Sequence, residues 1–183
     1  YSVYGSVTAG LLAYYNTVIE ITTTSTYPLY GSYGAHTDLM LSWLNEGGKK
    51  YVLAGDETFG IANTSWADVT FEPGSFFYEM GVLTTMNDLA GGGATPLWTN
   101  EMYGLSGGIQ QHLPEGDTLM YDPEYEIDYT NWMDGAIPTM GTQVSLRKGG
   151  GDAIVTHREW ENGNKTVFMG IDPISLNSAP NYY

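Results

Sequence analysis

The chain has 183 residues, a length that suits one domain with a core large enough to fold without disulfides or structural metal. Its 21 Asp and Glu stand against six Lys and Arg, and the resulting net charge of −15 disfavours binding to nucleic acid and anionic membranes. The absence of cysteine excludes thiol nucleophiles, thiolate metal sites and disulfides. No apolar run approaches the ~20 residues of a membrane-spanning helix, so we expect no membrane insertion. This acidic, tyrosine- and glycine-rich composition is typical of a secreted or cell-surface protein.

The first part of the chain alternates between strand and helix patterns. Residues 8–14 suggest a short helix, and the β-branched run at residues 15–21 (YNTVIEI) predicts a buried strand. Apolar side chains recur at helical spacing over residues 36–45, and Gly47-Gly48 ends this predicted helix. A second strand follows at residues 51–54. The order strand, helix, strand predicts a βαβ unit with parallel strands.

The second part of the chain is less regular. Residues 75–83 (SFFYEMGVL) suggest a helix, and the glycine-bracketed stretch at residues 90–108 suggests a long irregular excursion. Further strands are predicted at residues 117–121, 143–147, 153–159 and 165–171. The last two are separated by ENGN, whose Asn-Gly pair is a strong hairpin signal. We therefore predict a single α/β domain over residues 1–183 with a C-terminal antiparallel hairpin.

Several segments together resemble a known family. YNTVIEI, a helix ending in SWLNEGGKKYVLAGDE, the later LMYDPEYEI and the closing AIVTHREWENGNKTVFMGIDPISLN are similar to class I glutamine-amidotransferase-like domains of large secreted bacterial proteins. The resemblance covers about residues 11–177 and implies a flavodoxin-like three-layer sandwich with a mainly parallel sheet. It also implies further structure upstream of the first strand, so we expect the sequence to be a fragment of a larger protein, truncated at both ends.

The resemblance departs from the family at the nucleophile. Amidotransferases carry a cysteine in the turn after the strand that here ends at residue 54, whereas this chain has Asp56 in that turn. The resemblance therefore implies a non-catalytic structural or interaction module, with protein partners or self-association, in an extracellular assembly such as a filament. Fold alone does not assign function, and other residues of the chain support two alternative activities.

Two pairs of residues support an alternative function as a hydrolase, for example on glycans. Asp56 and Glu57 follow a predicted parallel strand, where nucleophiles of open α/β sheets are found, although an acidic residue there can equally cap a turn. His157 and Glu159 would share one face of a strand and resemble the late histidine and acid of the amidotransferases. The other interpretation is a structural histidine bonded to a neighbouring carboxylate. His36 and His112 have no metal-ligand spacing.

An acidic stretch supports a second alternative, a calcium-dependent carbohydrate-binding module. Glu124, Glu126 and Asp128 alternate along the sequence, so on a strand they would share one face and offer oxygen ligands to Ca²⁺. The spacing is not that of an EF-hand, and a solvated acidic face explains it as well. Apart from calcium, no cofactor is expected. Aromatic residues nearby would suit stacking on sugar rings, a protein interface, or closure of loops onto the sheet; they are Trp98, Tyr103, Tyr129 and Trp132.

Overall fold

The computed structural model describes residues 7–22, 33–55, 58, 59, 67–86, 101–104, 118–121, 133–148, 153–171, 173 and 176–178. The helices with described bounds are α1 (Ala9–Leu12), α2 (Tyr33–Leu44) and α3 (Phe76–Glu79). The strands are β1 (Thr17–Ile21), β2 (Lys50–Ala54), β3 (Val82–Met86), β4 (Glu101–Gly104), β5 (Thr118–Tyr121), β6 (Gly135–Pro138), β7 (Gln143–Lys148), β8 (Ala153–Glu159), β9 (Lys165–Met169) and β10 (Leu176–Ser178). In these parts of the chain, no helix combines the length and apolarity needed to cross a bilayer.

Strands β1, β2 and β9 form the parallel part of the sheet. Their register aligns Ile19 with Val52 and Val52 with Val167, so these three side chains form a row on one face. Helix α2 lies between β1 and β2 in the sequence, and this confirms the predicted βαβ unit. Among the described strands, β1 is at one edge of the sheet and pairs with β2 alone.

The remaining described strands add antiparallel pairs. Strand β8 pairs antiparallel with β9 on one side and with β7 on the other, and the order continues through β4, β5 and β10. Strands β3 and β6 form a further antiparallel pair that joins β8. The α/β fold and the C-terminal hairpin are confirmed, but the sheet is mixed rather than mainly parallel. The physical reason is the short connections, because a tight turn such as residues 161–164 can only join antiparallel strands.

The segment 75–83 also differs from its prediction as one helix. Only Phe76–Glu79 is helical, because Gly81 takes a left-handed φ of +93° and the chain then continues as β3. Strands β4, β6 and β10 were not predicted either. Each has only three or four residues, too few for an alternating pattern to be recognised.

The core consists of two clusters of buried side chains. The larger packs α2 and α3 against Tyr51, Leu53 and Phe168 of the parallel strands, and Phe59 stacks on Phe168 with ring centroids 4.6 Å apart. The smaller cluster belongs to the antiparallel region; its buried members are Met133, Leu146, Ile154, Val155 and Ile171. The helices therefore cover the face of the parallel strands opposite to the row that Ile19 begins.

Asn164 joins the hairpin to the βαβ unit. Its Oδ1 accepts a hydrogen bond of 2.9 Å from the Lys49 N–H, and its Nδ2 donates one of 2.8 Å to the Leu44 carbonyl. Both bonds are buried, and Leu44 is the last residue of α2 while Lys49 precedes β2. One amide side chain thus fixes the end of a helix and the start of two strands.

We expect Asn164→Ala to lower the free energy of unfolding by about 1–3 kcal/mol, because the buried Lys49 N–H loses its acceptor, whereas the Leu44 carbonyl keeps its bond from the Gly47 N–H. The measurement is urea unfolding. Asn162→Ala is the matched control, since Asn162 is exposed and its side chain makes one local bond within the same turn. Equal effects of the two substitutions would contradict this role of Asn164.

Candidate functional site

The predicted His157–Glu159 pair does not form a hydrogen-bonded dyad. Glu159 Oε1 accepts a 2.6 Å hydrogen bond from Lys165 Nζ, and both of these side chains are exposed. His157 Nδ1 is instead 2.8 Å from Ser145 Oγ on the neighbouring strand β7. Each member of the predicted pair therefore has another partner.

The pKa of His157 is below its ordinary value of 6.5. Partial burial is the larger cause, because it penalises the charged ring, and the charge of Glu159 opposes it. The pKa of Glu159 is also lowered, first by the hydrogen bond from Lys165 and then by the charge of that lysine. At neutral pH the His157 ring is neutral, and its Nδ1 can then either accept a hydrogen bond from the Ser145 hydroxyl or donate one to it.

Asp56 and Glu57 lie outside the described residues, but the groups around them show how this end of the sheet is built. Thr58 Oγ1 donates a 2.8 Å hydrogen bond to the Gly55 carbonyl and lies 3.2 Å from Thr22 Oγ1, which follows β1. Gly55 has a φ of +152°, and a Cβ there would overlap Thr22. The chain after β2 is therefore held tightly against the end of β1.

Asp134 is a buried carboxylate at the same end of the sheet. Its Oδ2 accepts a 3.0 Å hydrogen bond from the Phe59 N–H, and its own N–H donates to the Gly170 carbonyl at 2.8 Å. Phe59 follows β2 and Gly170 follows β9, so Asp134 ties together the ends of two parallel strands. The sequence alone did not identify this role of Asp134, because its partners are 36 and 75 residues away.

A second buried polar cluster lies beneath α2. Glu20 Oε2 accepts a 2.5 Å hydrogen bond from the Tyr51 hydroxyl and is 3.1 Å from His36 Nε2. All three residues are buried, and the rings of Tyr51 and His36 both pack against Phe76. The cluster combines a histidine, a carboxylate and a hydroxyl, yet its burial withholds it from a substrate. It was not predicted, since Glu20 is the single charged residue of its strand and its partners lie on other elements.

The proposed calcium ligands Glu124, Glu126 and Asp128 lie outside the described residues, as do Trp98, Tyr129 and Trp132. Tyr103 is in β4. In the part of the chain that the structure describes, no three His, Asp or Glu side chains are grouped so as to hold a metal ion. Calcium binding stays a prediction.

Large apolar side chains are exposed around the edge strand β1. Their exposed fractions are 66% for Ile19, 47% for Ile21, 86% for Tyr14 and 52% for Tyr15. We call the outer edge of β1 and these four side chains the β1 surface. Scattered exposed hydrophobic residues are normal, but a group on an unpaired edge is a common mark of a contact site.

Comparison of the chain with protein-family models, with curated proteins and with solved structures found no match.

We expect Asp134→Ala to destabilise the protein by about 1–3 kcal/mol, because the Phe59 N–H would be buried without its acceptor. Asp134→Asn keeps an acceptor oxygen in the same position and should cost less. Urea unfolding of the two variants measures the difference. A larger loss for Asn than for Ala would show that the carboxylate does not act by accepting this bond.

We expect Glu159→Gln to lower the pKa of His157 further, because it removes the one charge that raises this pKa. The pKa of His157 is lower in the folded chain than in the unfolded chain, so protonation of this ring favours unfolding. The stability that comes from the neutral ring is therefore fully present above pH 6.5 and is lost as the pH falls from there through the folded pKa. The substitution should move the lower end of this window to lower pH. An NMR titration of the His157 ring, assigned with His157→Asn, measures the shift.

Glu72→Gln is the control, since this exposed carboxylate is not among the groups that act on His157. An unchanged pKa in Glu159→Gln would mean that Glu159 does not influence the ring.

Proposed function

We propose that this chain is a non-catalytic structural or interaction module of a secreted or cell-surface bacterial protein, and that it self-associates in an extracellular assembly such as a filament. The observation that carries the proposal is the β1 surface. Ile19, Ile21 and two tyrosines are exposed beside a strand edge that no described strand pairs with. Leaving this apolar area in water costs free energy, and contact with another protein surface would bury it.

The state of the reactive side chains agrees with a module that does no chemistry. Glu159 is engaged by Lys165, and Glu20 is buried with Tyr51 and His36. Asp134 serves as an acceptor for a backbone N–H. These polar groups stabilise the fold rather than converge on an open cleft.

The family assignment is part of the proposal. A β1–α2–β2 unit with parallel strands, and helices packed on one face, support a domain related to the flavodoxin-like three-layer sandwich of amidotransferases. The sequence has no cysteine to serve as the nucleophile of that family. On this proposal, the fold has been kept as a scaffold and its original chemistry has been lost.

One contact favours the hydrolase alternative. Ser145 Oγ and His157 Nδ1 are 2.8 Å apart, the distance expected between a serine nucleophile and its base. However, Ser145 is only 1% exposed and the acid nearest in sequence, Glu159, is paired with Lys165. A substrate carbonyl has no access to this hydroxyl in the described structure. We therefore favour the interaction module over the hydrolase.

We expect the average mass of the purified chain in sedimentation velocity to rise with concentration across the micromolar range, since the contact surface is small. Adding salt should strengthen the association, because screening weakens the repulsion between copies that each carry −15. Ile19→Lys combined with Ile21→Lys should remove most of it, as lysine on an edge strand opposes pairing.

Ile137→Lys is the matched control, because Ile137 is also 47% exposed but lies on β6. A chain that stays monomeric at every concentration and salt level would refute self-association. Equal loss of association in Ile137→Lys would move the contact away from β1.

A further inference from the structure

We propose that β1 pairs antiparallel with β1 of a second copy about a two-fold axis at Ile19, so that the sheets of two chains become continuous. This inference rests on the proposed function and names its contact. It follows from three features of the strand: the direction of its backbone groups, the symmetry of its side chains and the absence of exposed charge.

The backbone groups of alternate residues of β1 point away from the sheet. The Asn16 carbonyl accepts a bond from the Lys50 N–H, and the Thr22 N–H donates to the Ala54 carbonyl, so these even-numbered residues face β2. Because the direction alternates along a strand, the N–H and C=O groups of Thr17, Ile19 and Ile21 point outward. No described strand accepts them.

An antiparallel pair centred on Ile19 matches these outward groups. Ile19 then lies opposite Ile19 of the second copy, and Thr17 lies opposite Ile21. All of these residues face outward, so each opposed pair can exchange two hydrogen bonds. If one strand were shifted by one residue, the outward-pointing residues of one copy would lie opposite residues of the other copy whose backbone groups face β2. The hydrogen bonds between the two copies would then be lost. The strand is thus complementary to itself in this register.

The side chains fit the same arrangement. Ile19 continues a row through Val52 and Val167, and the two-fold axis would join two such rows into one aliphatic band. The single charged residue of β1, Glu20, points to the helix side and is bonded to Tyr51. Thr17–Ile21 contains neither Lys nor Pro, two residues that commonly protect an edge from pairing.

Charge also restricts which surface a second copy can use. Each copy carries −15, so most surface contacts between copies bring acidic groups together. The β1 surface presents no ionised side chain of its own, so contact through it brings no acidic groups of that surface together. A five-residue strand spans only about 17 Å, so the pairing is weak and depends on concentration.

The test is disulfide trapping in a chain that has no cysteine of its own. Opposed residues that exchange hydrogen bonds have Cα atoms about 5.5 Å apart, within the range that a disulfide spans. We expect Ile19→Cys to form covalent dimers on mild oxidation. Ile137→Cys, also at an exposed position and checked for thiol access with a monofunctional maleimide, should form few.

The register is tested by two further variants. Thr17→Cys mixed with Ile21→Cys should give a disulfide-linked dimer of the two variants, because residues 17 and 21 lie opposite each other. Thr17→Cys alone should give none, because the two copies of residue 17 in such a dimer lie four residues apart along the strands, about 13 Å. A parallel pair would give the reverse result and overturn the two-fold arrangement.

Hydrogen exchange on the unaltered chain keeps the proposal open to refutation if a variant fails to fold. We expect the amides of Thr17, Ile19 and Ile21 to exchange several-fold more slowly at high concentration, while those of Val18 and Glu20, which face β2, change little. The β1 pairing is wrong if the unaltered chain associates without slower exchange of these three amides and Ile19→Cys traps no more dimer than Ile137→Cys. The proposed function stands in that case, because the chain still associates. If the chain never associates, both fail.

Discussion

Strand β9 is the element on which both halves of the sheet depend, because it pairs parallel with β2 and antiparallel with β8. Asn164 fixes its start, and Gly170 fixes its end by bonding Asp134 and Ile154 through the backbone. A Cβ at Gly170 would overlap the Asp134 backbone, so the close approach needs glycine. Phe168 belongs to one core cluster, while the neighbouring Met169 packs against the other. A change in β9 therefore affects both clusters at once.

This constraint explains how the buried polar groups are used. Residues 58 and 59 are helical and follow β2, and the buried Phe59 N–H of this turn needs an acceptor, which Asp134 supplies. Glu20 likewise has a hydroxyl donor in Tyr51 beneath α2. A carboxylate that holds a backbone group in a packed region is poorly placed to attack a substrate. The buried His36, Glu20 and Tyr51 side chains resemble an active site in their residue types, but here they make contacts within the core.

Part of this architecture was predictable from local sequence. Helical spacing followed by Gly47-Gly48 predicted α2, and the Asn-Gly turn predicted the β8–β9 hairpin. The partner of His157 was not predictable, because Ser145 sits at an irregular register between β7 and β8 that no alternating pattern reveals. The role of Asp134 depends on contacts between distant segments. Sequence thus indicated the elements with strong periodicity, whereas the polar contacts required the tertiary structure.

The charge of the chain and the form of β1 are best understood together. An apolar edge without Lys or Pro would promote uncontrolled pairing in a neutral protein. A net charge of −15 opposes every association over a range set by ionic strength, about 8 Å at physiological salt. Only a contact that brings hydrogen bonds and apolar side chains together at close range can exceed this repulsion. On the proposed pairing, the acidic surface opposes less ordered contacts between copies and leaves the edge of β1 as the favoured contact.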